Sequence, residues 1–351
     1  MTTKPKISLK HRLNNILLST FNMPNPPLTI EERSMTTGTP VVGVIGLGPV
    51  GSILAGHLAN SNLDVVVQDA MPNIRAKVKR DGIKVSGITQ LHAKIDKVSD
   101  SIPDLAKFGV EIVFIVTKAC YLKDVLPELG RIYTPKLKVV SFQNGLDNER
   151  YILEQLAIDT TYRVVINYAG NLTGPGEAVM NWFQPPNFVG AFHKSRYTTD
   201  ETTRAVASLL TASGLKTEEA ADIKRDVWEK AILNSALCSI CGVTGQTMKE
   251  AMEFRHSRSL AIKVLEEGLQ VAKADGYDFG PEALSRFTAY LEKGGAHKPS
   301  MLIDIENKRP TEVDFMSGAI ARYGDKYGVP TPANSTFTDV VKAIESRYLK
   351  P

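Results

Sequence analysis

The chain has 351 residues, 43% of them hydrophobic and 23% charged. That suits a folded protein of about two domains and excludes a disordered, collagen-like or coiled-coil one. A net charge of +4, from 42 Lys+Arg against 38 Asp+Glu, does not call for nucleic acid but suits a small anionic ligand. No apolar run reaches the roughly 18 residues that span a bilayer, and three cysteines make no disulfide framework. The expectation is a soluble, cytoplasmic protein with no membrane or nucleic-acid partner.

Residues 1–40 differ from the rest. Lys4, Lys6, Lys10, His11 and Arg12 precede the first acid, Glu31, and Pro24-Asn25-Pro26-Pro27 blocks regular structure. Ile7, Leu13, Ile16, Leu17 and Phe21 are spaced for a short amphipathic helix, and so basic a start is compatible with an organelle transit peptide. The plainer expectation is a poorly structured extension. Met35-Thr36-Thr37 repeats Met1-Thr2-Thr3, which marks Met35 as a second candidate start.

The folded part opens on Val41-Val42-Gly43-Val44-Ile45, a β-branched run suited to a strand buried on both faces. Gly46-Leu47-Gly48-Pro49-Val50-Gly51 follows, and Ser52 to Ala59 reads as a helix. This is G-x-G-x-x-G in its strand–turn–helix context. Gly46 permits the turn, Gly48 lets the backbone approach a pyrophosphate, and Gly51 allows helix and strand to pack closely. Leu47, Pro49 and Val50 complete the candidate cofactor loop, Pro49 in the first helical turn where its missing N–H is not needed. A second strand, Asp64 to Gln68, ends at Asp69, eighteen residues beyond Gly51, where an acid can accept from ribose hydroxyls. His57, inside the first helix, reads as a packed or surface residue.

Strand and helix continue to alternate: Val110–Val116, Leu122–Leu129, Lys138–Phe142, Asp147–Leu156. The order predicts a parallel sheet with helices on both faces and ligands beyond its carboxyl edge. Thr117-Lys118-Ala119 and Gln143-Asn144-Gly145-Leu146 fall at that edge, where Lys118 and Asn144 suit phosphate, ribose or carboxylate. Both residues would equally serve as loop residues or helix caps. Strand-like segments follow around Tyr162–Tyr168, Phe188–Ala191 and Leu215–Thr217.

Beyond Asp222 the apolar spacing turns helical: Ile223–Ile240, Arg255–Ala274, Pro281–Leu291, Val313–Tyr327 and Ser335–Tyr348. The predicted fold class is α/β, with a Rossmann dinucleotide-binding domain over 41–220 and an all-α substrate and dimerisation domain over 221–351. The cleft between them is the expected active site. Lys230 and Asn234 are four apart and share one helix face. A lysine facing a cleft can protonate a carbonyl oxygen as hydride reaches its carbon, provided its pKa falls from about 10.4. Ser300 reads as a loop residue after a glycine-containing break, and Glu312 and Asp314 as the start of a helix. Cys238-Ser239-Ile240-Cys241 is a lone C-x-x-C with no second pair for zinc, so two packed cysteines and no metal are expected.

As a set, and in this order, the glycine loop, Thr117-Lys118-Ala119, Phe142-Gln143-Asn144-Gly145-Leu146, Trp228-Glu229-Lys230 with Asn234, and Ser300-Met301-Leu302-Ile303-Asp304 running to Thr311-Glu312-Val313-Asp314 resemble the ketopantoate reductase (2-dehydropantoate 2-reductase) family over about residues 41–350. The resemblance implies a Rossmann domain and an all-α domain of the 6-phosphogluconate dehydrogenase C-terminal type. It implies NADPH-dependent reduction of a 2-oxo acid, in pantothenate biosynthesis. It makes Lys230 the proton donor, and Asn234 and Ser300 substrate ligands. Glu312 becomes the carboxylate that positions lysine and substrate, with Lys118 and Asn144 lining the cleft. The chain departs from the family pattern at three places. Cys238 stands where a second substrate-binding Asn is common, Phe315-Met316-Ser317-Gly318 replaces an Asn-Gly pair, and Asp69 stands where NADPH users carry a basic residue. Asp69 favours NADH, although Arg75 lies one turn into the next segment. The alternatives are an opine- or other 2-hydroxy-acid dehydrogenase and a non-catalytic NAD(P)-binding regulator, for which a proton donor has no use. The helical domain offers surface for a homodimer.

Overall fold

The structure, a computed structural model, describes residues 39–194 and 196–349; the expectations for residues 1–38 lie outside them. The first part runs β1 (Val42–Ile45), α1 (Pro49–Asn60), β2 (Val65–Gln68), α2 (Pro72–Asp81), β3 (Ile83–Gly87), β4 (Leu91–Ala93), β5 (Lys97–Ser99), β6 (Ile112–Ile115), α3 (Leu122–Gly130), β7 (Lys138–Ser141), α4 (Asn148–Leu156) and β8 (Thr160–Val165). It continues through β9 (Tyr168–Gly174), β10 (Glu177–Phe183), β11 (Asn187–His193), β12 (Arg196–Thr198), α5 (Glu201–Ala212) and β13 (Thr217–Glu219). Helices complete the chain: α6 (Ile223–Thr244), α7 (Met248–Glu253), α8 (Arg255–Ala274), α9 (Ala283–Glu292), α10 (Ser300–Glu306), α11 (Ser317–Tyr327) and α12 (Pro332–Glu345).

The main sheet has the order β12-β11-β8-β7-β6-β1-β2-β5, with β13 paired to β11. From β5 to β8 every pairing is parallel, as the alternating pattern predicts. The far edge corrects the expectation of a wholly parallel sheet: β11 is antiparallel to β8 and β12 to β11. A parallel neighbour needs a long crossover, usually a helix. Here no helix lies between β8 and β11, and β11 turns back tightly into β12 at Lys194. A second sheet, β4-β3-β10-β9, has no counterpart in the sequence reading. Its strands are short or only half buried, so they lack the apolar runs that mark the main sheet.

Successive strand residues serve opposite faces. Val44, Val67, Phe114 and Val140 join a core with Leu54 and Leu58 of α1 and Leu210 of α5. Ile45, Val66, Val113 and Val139 join another with Leu122, Leu126 and Leu129 of α3 and Ile152 of α4. The helical layer is organised around α6, whose Ala231, Ile232, Ala236 and Leu237 are buried among Val264 and Leu265 of α8, Ile320 of α11 and Phe337 of α12. A helix buried on most sides has no solvent-facing stripe and is fixed in rotation as well as position.

Two boundaries differ from expectation near the site. Ser300 is not in a loop but opens α10. Glu312 and Asp314 do not start a long helix, because Val313–Phe315 form a single 3₁₀ turn and α11 begins at Ser317. The physical reason is tertiary: the Phe315 carbonyl accepts the Leu146 N–H at 2.8 Å instead of continuing a helical ladder.

Candidate active site

Between β1 and α1 the backbone itself is the functional element. Gly46 has φ +98°, and a Cβ there would lie 2.8 Å from the Thr117 backbone nitrogen. A Cβ on Gly51 would lie 1.9 Å from the Gly46 carbonyl oxygen. These two glycines are therefore requirements of the turn. Gly48 is different, with nothing within 4 Å of its Cβ position. It faces open space beside the amino end of α1, where Val50 and Gly51 N–H groups have no intrahelical acceptor and Pro49 has no N–H to satisfy. A diphosphate fits that cradle.

Asp69, half-buried after β2, holds the loop in place. One carboxylate oxygen accepts the Leu47 N–H at 2.7 Å and the other the Met71 N–H at 2.9 Å. Arg75 does fold back from α2, but its Nη1 donates to the Asp69 and Ala70 carbonyls at 2.7 and 3.1 Å. At the carboxyl edge of the sheet, Thr117 Oγ1 and Asn144 Oδ1 are buried without a hydrogen-bond partner among the described residues. Buried polar atoms are normally paired, so these two orphans mark the sheet edge as a place where a polar ligand group would find partners.

The two strand-end loops are bound to the segment around residues 304–315. Lys118 ion-pairs with Asp304 of α10 and donates to the Pro310 carbonyl. The Ala119 N–H donates to Glu312 Oε1 at 2.9 Å. Glu312 does not cap its own helix. Burial raises its pKa, opposed by the Ala119 N–H and the Lys118 charge.

Lys230, Asn234 and Cys238 follow one another at four-residue intervals along α6, which places them on one face. The Lys230 Nζ donates to the Ile166 carbonyl, just past β8. Its pKa is lowered to about 7, first by burial and then by the nearby Arg163 guanidinium, with Cys238 and Glu312 acting in the opposite direction. Cys238 is buried beside the Ser300 hydroxyl and its thiol pKa is pushed up to about 12 by burial, so it is a neutral thiol rather than a nucleophile. It packs with Met301, Val313 and Met316. Cys241 is also buried, and neither cysteine is in a disulfide.

Of the sequence-predicted residues, Asp69 joins the glycine loop, Lys118 and Glu312 lie close to one another at the sheet edge, Lys230, Asn234 and Cys238 share one face of α6 with Ser300 beside Cys238, and Asn144 lies in the loop after β7. Sequence reasoning missed Arg163 and Asp304. Arg163 interrupts the run Thr161-Tyr162-Arg163-Val164-Val165-Ile166, and a charge inside a buried strand pattern was the available signal.

Known protein families match most of the chain. The family model described as Ketopantoate reductase PanE/ApbA matches residues 42–192, and that described as Ketopantoate reductase PanE/ApbA C terminal matches 222–345. The 2-dehydropantoate 2-reductase of Archaeoglobus fulgidus is 28% identical over 309 residues, 87% of this chain and 98% of that protein. The enzyme of the same name from Streptococcus pyogenes is 26% identical over 310 residues, again 87% and 98%. Among solved structures, a PanE/ApbA family ketopantoate reductase from Ralstonia eutropha aligns with TM-score 0.77 at 21% identity over 88% of this chain and 99% of that one. D-mandelate dehydrogenase in complex with NADH aligns with TM-score 0.75 at 24% identity, over the same shares.

The glycine geometry makes a contrast that two variants test. Gly51→Ala must displace the Gly46 carbonyl and is expected to lower stability by about 1–3 kcal/mol in urea melts. Gly48→Ala should melt like the wild type while its affinity for NADH, measured by fluorescence titration, falls.

Proposed function

The chain belongs to the ketopantoate reductase family and is a nicotinamide-dependent oxidoreductase acting on CH–OH groups; from that premise we propose that it reduces a small 2-oxo acid, with 2-dehydropantoate the leading substrate and Lys230 the general acid. One observation carries this reading: a lysine on the site face of α6, held on a backbone carbonyl, with its pKa lowered to about 7. An acid is most effective when its pKa lies near the working pH.

When bound, the reduced nicotinamide supplies the hydride. The chain's own residues do the rest. Lys230 gives a proton from Nζ to the substrate oxygen as the carbonyl carbon is reduced. Its resting acceptor, the Ile166 carbonyl, is neutral, so the ammonium keeps its attraction for the substrate carboxylate. Asn234, one turn along α6, offers an amide to the substrate, and the exposed Ser300 hydroxyl offers a second contact. Glu312, fixed by the Ala119 N–H, favours the charged form of Lys230 through its own charge. Lys118, paired with Asp304, is the cation that supports Glu312 at the cofactor edge of the cleft, and Asn144 is the amide there. Lys230→Ala is expected to lower kcat by about 10²–10⁴ with little change in cofactor affinity. A variant with near-normal kcat at pH 7 would remove Lys230 from the mechanism.

Cys238 favours a second reading of the substrate. Its thiol, with Met301, Val313 and Met316 behind it, suits an apolar side chain better than a hydroxymethyl group. D-Mandelate dehydrogenase, named for a hydroxy acid with an apolar aromatic group, has the same fold. On this reading 3-methyl-2-oxobutanoate, which is 2-dehydropantoate without its hydroxymethyl group, has the higher kcat/KM. Cys238→Asn should then move the ratio toward 2-dehydropantoate, and an unmoved ratio would place Cys238 outside the substrate pocket.

For the cofactor we propose NADH. The Asp69 carboxylate is held at the end of β2 by two backbone N–H groups, and a 2′-phosphate there would meet its charge. Arg75 is turned onto main-chain carbonyls. The expected kcat/KM is higher with NADH than with NADPH, and Asp69→Ala should shift the ratio toward NADPH. A wild-type preference for NADPH would mean that Arg75 leaves those carbonyls for the phosphate.

A further inference from the structure

Beneath the loop that carries Asn144 lies a buried arginine to which the mechanism above gives no part. We propose that Arg163 of β8 is a positioning residue for the reaction: its guanidinium anchors the Gln143–Leu146 loop and sets a permanent positive charge beside the Lys230 ammonium. The role rests on reading Lys230 as the acid.

Arg163 is 3% exposed, and a guanidinium stays charged at any pH the protein meets. Burying such a charge is costly unless it is paired at close range. Its pairing is loose. Nη2 donates to the Gly145 carbonyl at 2.8 Å and Nη1 to the Ser141 hydroxyl at 3.2 Å, both neutral acceptors. The nearest carboxylate oxygen, Glu149 Oε2, is 3.6 Å from Nη1, beyond hydrogen-bond distance. Nε has no partner among the described residues. Glu149 is itself fully buried and accepts the Tyr197 hydroxyl at 2.6 Å through its other oxygen.

A pair serving stability alone would bring the carboxylate into the guanidinium fork at about 2.7–2.9 Å. In this protein the fork is turned instead to the loop next to Asn144, and the opposing charge stands back. Glu149 thus offsets the guanidinium charge as an ion-pair partner at 3.6 Å without entering the fork, and the remaining positive field reaches the surroundings. The Lys230 ammonium is among them. Lys230 bonds the carbonyl of Ile166, three residues beyond Arg163, so the course of the chain leaving β8 sets the spacing of the two cations. Three titratable or charged groups face Lys230: Arg163 from β8, Glu312 from the segment before α11, and Cys238 from α6 itself, the last a neutral thiol over the pH range of interest. Asp304 and Lys118, near Glu312, are paired with each other. Arg163 is the positive member of this set, and like charge disfavours protonation.

The test is the pH dependence of kcat/KM for NADH-driven reduction of 2-dehydropantoate and 3-methyl-2-oxobutanoate. Because Lys230 must be protonated to act, the wild-type rate should fall as pH rises through about 7. Arg163→Met should move that midpoint upward by about one pH unit or more. Glu149→Gln, which removes only the opposing negative charge, should move it downward. Arg163→Lys keeps the charge but not the fork, so its midpoint should stay near the wild type while kcat falls as the Asn144 loop loosens. If Arg163→Met does not fold, the other two variants decide the matter. Folded variants whose midpoints coincide with the wild type, with only the melting temperature changed, would overturn the proposal. A wild type with no alkaline fall would overturn the reading of Lys230 and this proposal with it.

Discussion

Holding a lysine amine against a single peptide carbonyl, largely screened from solvent, constrains everything packed around it. Desolvation favours the neutral amine, so the packing that limits water at this nitrogen also sets its pKa. The fold meets this by fixing α6 on most of its sides. Its amino end is capped by the Asp222 carboxylate and pinned by Trp228, whose Nε1 donates to Asp275 at 2.9 Å. Lys224, two turns before Lys230, is buried among the rings of Tyr197, Trp228 and Tyr323 and lies 3.2 Å from an Asp147 oxygen. The helix that carries Lys230 is thus tied directly to the loop that follows β7.

The same economy of contacts joins the sheet edge to the helices elsewhere. Ala119 donates to Glu312, Leu146 to the Phe315 carbonyl, and Lys118 pairs with Asp304. Each contact uses a strand-end loop, where a doubly wound sheet gathers its ligands, to hold a residue of the helical layer. Glu312 shows why this matters. Burial raises the pKa of its carboxylate, and a peptide N–H and a lysine supplied by the sheet oppose that rise. Neither half of the chain completes this site alone.

Much of this is legible in the sequence, for identifiable reasons. The glycine loop is a local pattern, and the structure assigns Gly46 and Gly51 to the turn and leaves Gly48 open. Continuous β-branched runs give the parallel strands, and the four-residue spacing of Lys230, Asn234 and Cys238 gives a shared helix face. What escapes is non-local. The strands β3, β4, β9 and β10 are short or half-buried, and their sheet joins two hairpins distant in sequence through β3 and β10, so their own patterns are weak. Glu312 reads as the start of a helix because nothing nearby announces that Ala119 and Leu146 will claim its carboxylate and the Phe315 carbonyl. Arg163 is visible as an oddity in a strand, but its meaning depends on Gly145 and Glu149, which only the folded chain brings to it. Asp69 is legible as an acid at the end of β2; that it also bonds the Leu47 N–H, and so shapes the glycine loop, is not.

The state of the Lys230 ammonium can be observed without turnover. In protein labelled at lysine with ¹³C and ¹⁵N, the Lys230 side-chain signal is assigned by its loss in Lys230→Arg and followed by NMR from acid to alkaline pH. A buried, tuned acid predicts a transition near about 7, well below the ordinary lysine value of 10.5. A transition at the ordinary value would contradict the account, since it would describe a solvated surface lysine rather than a proton donor built into the fold.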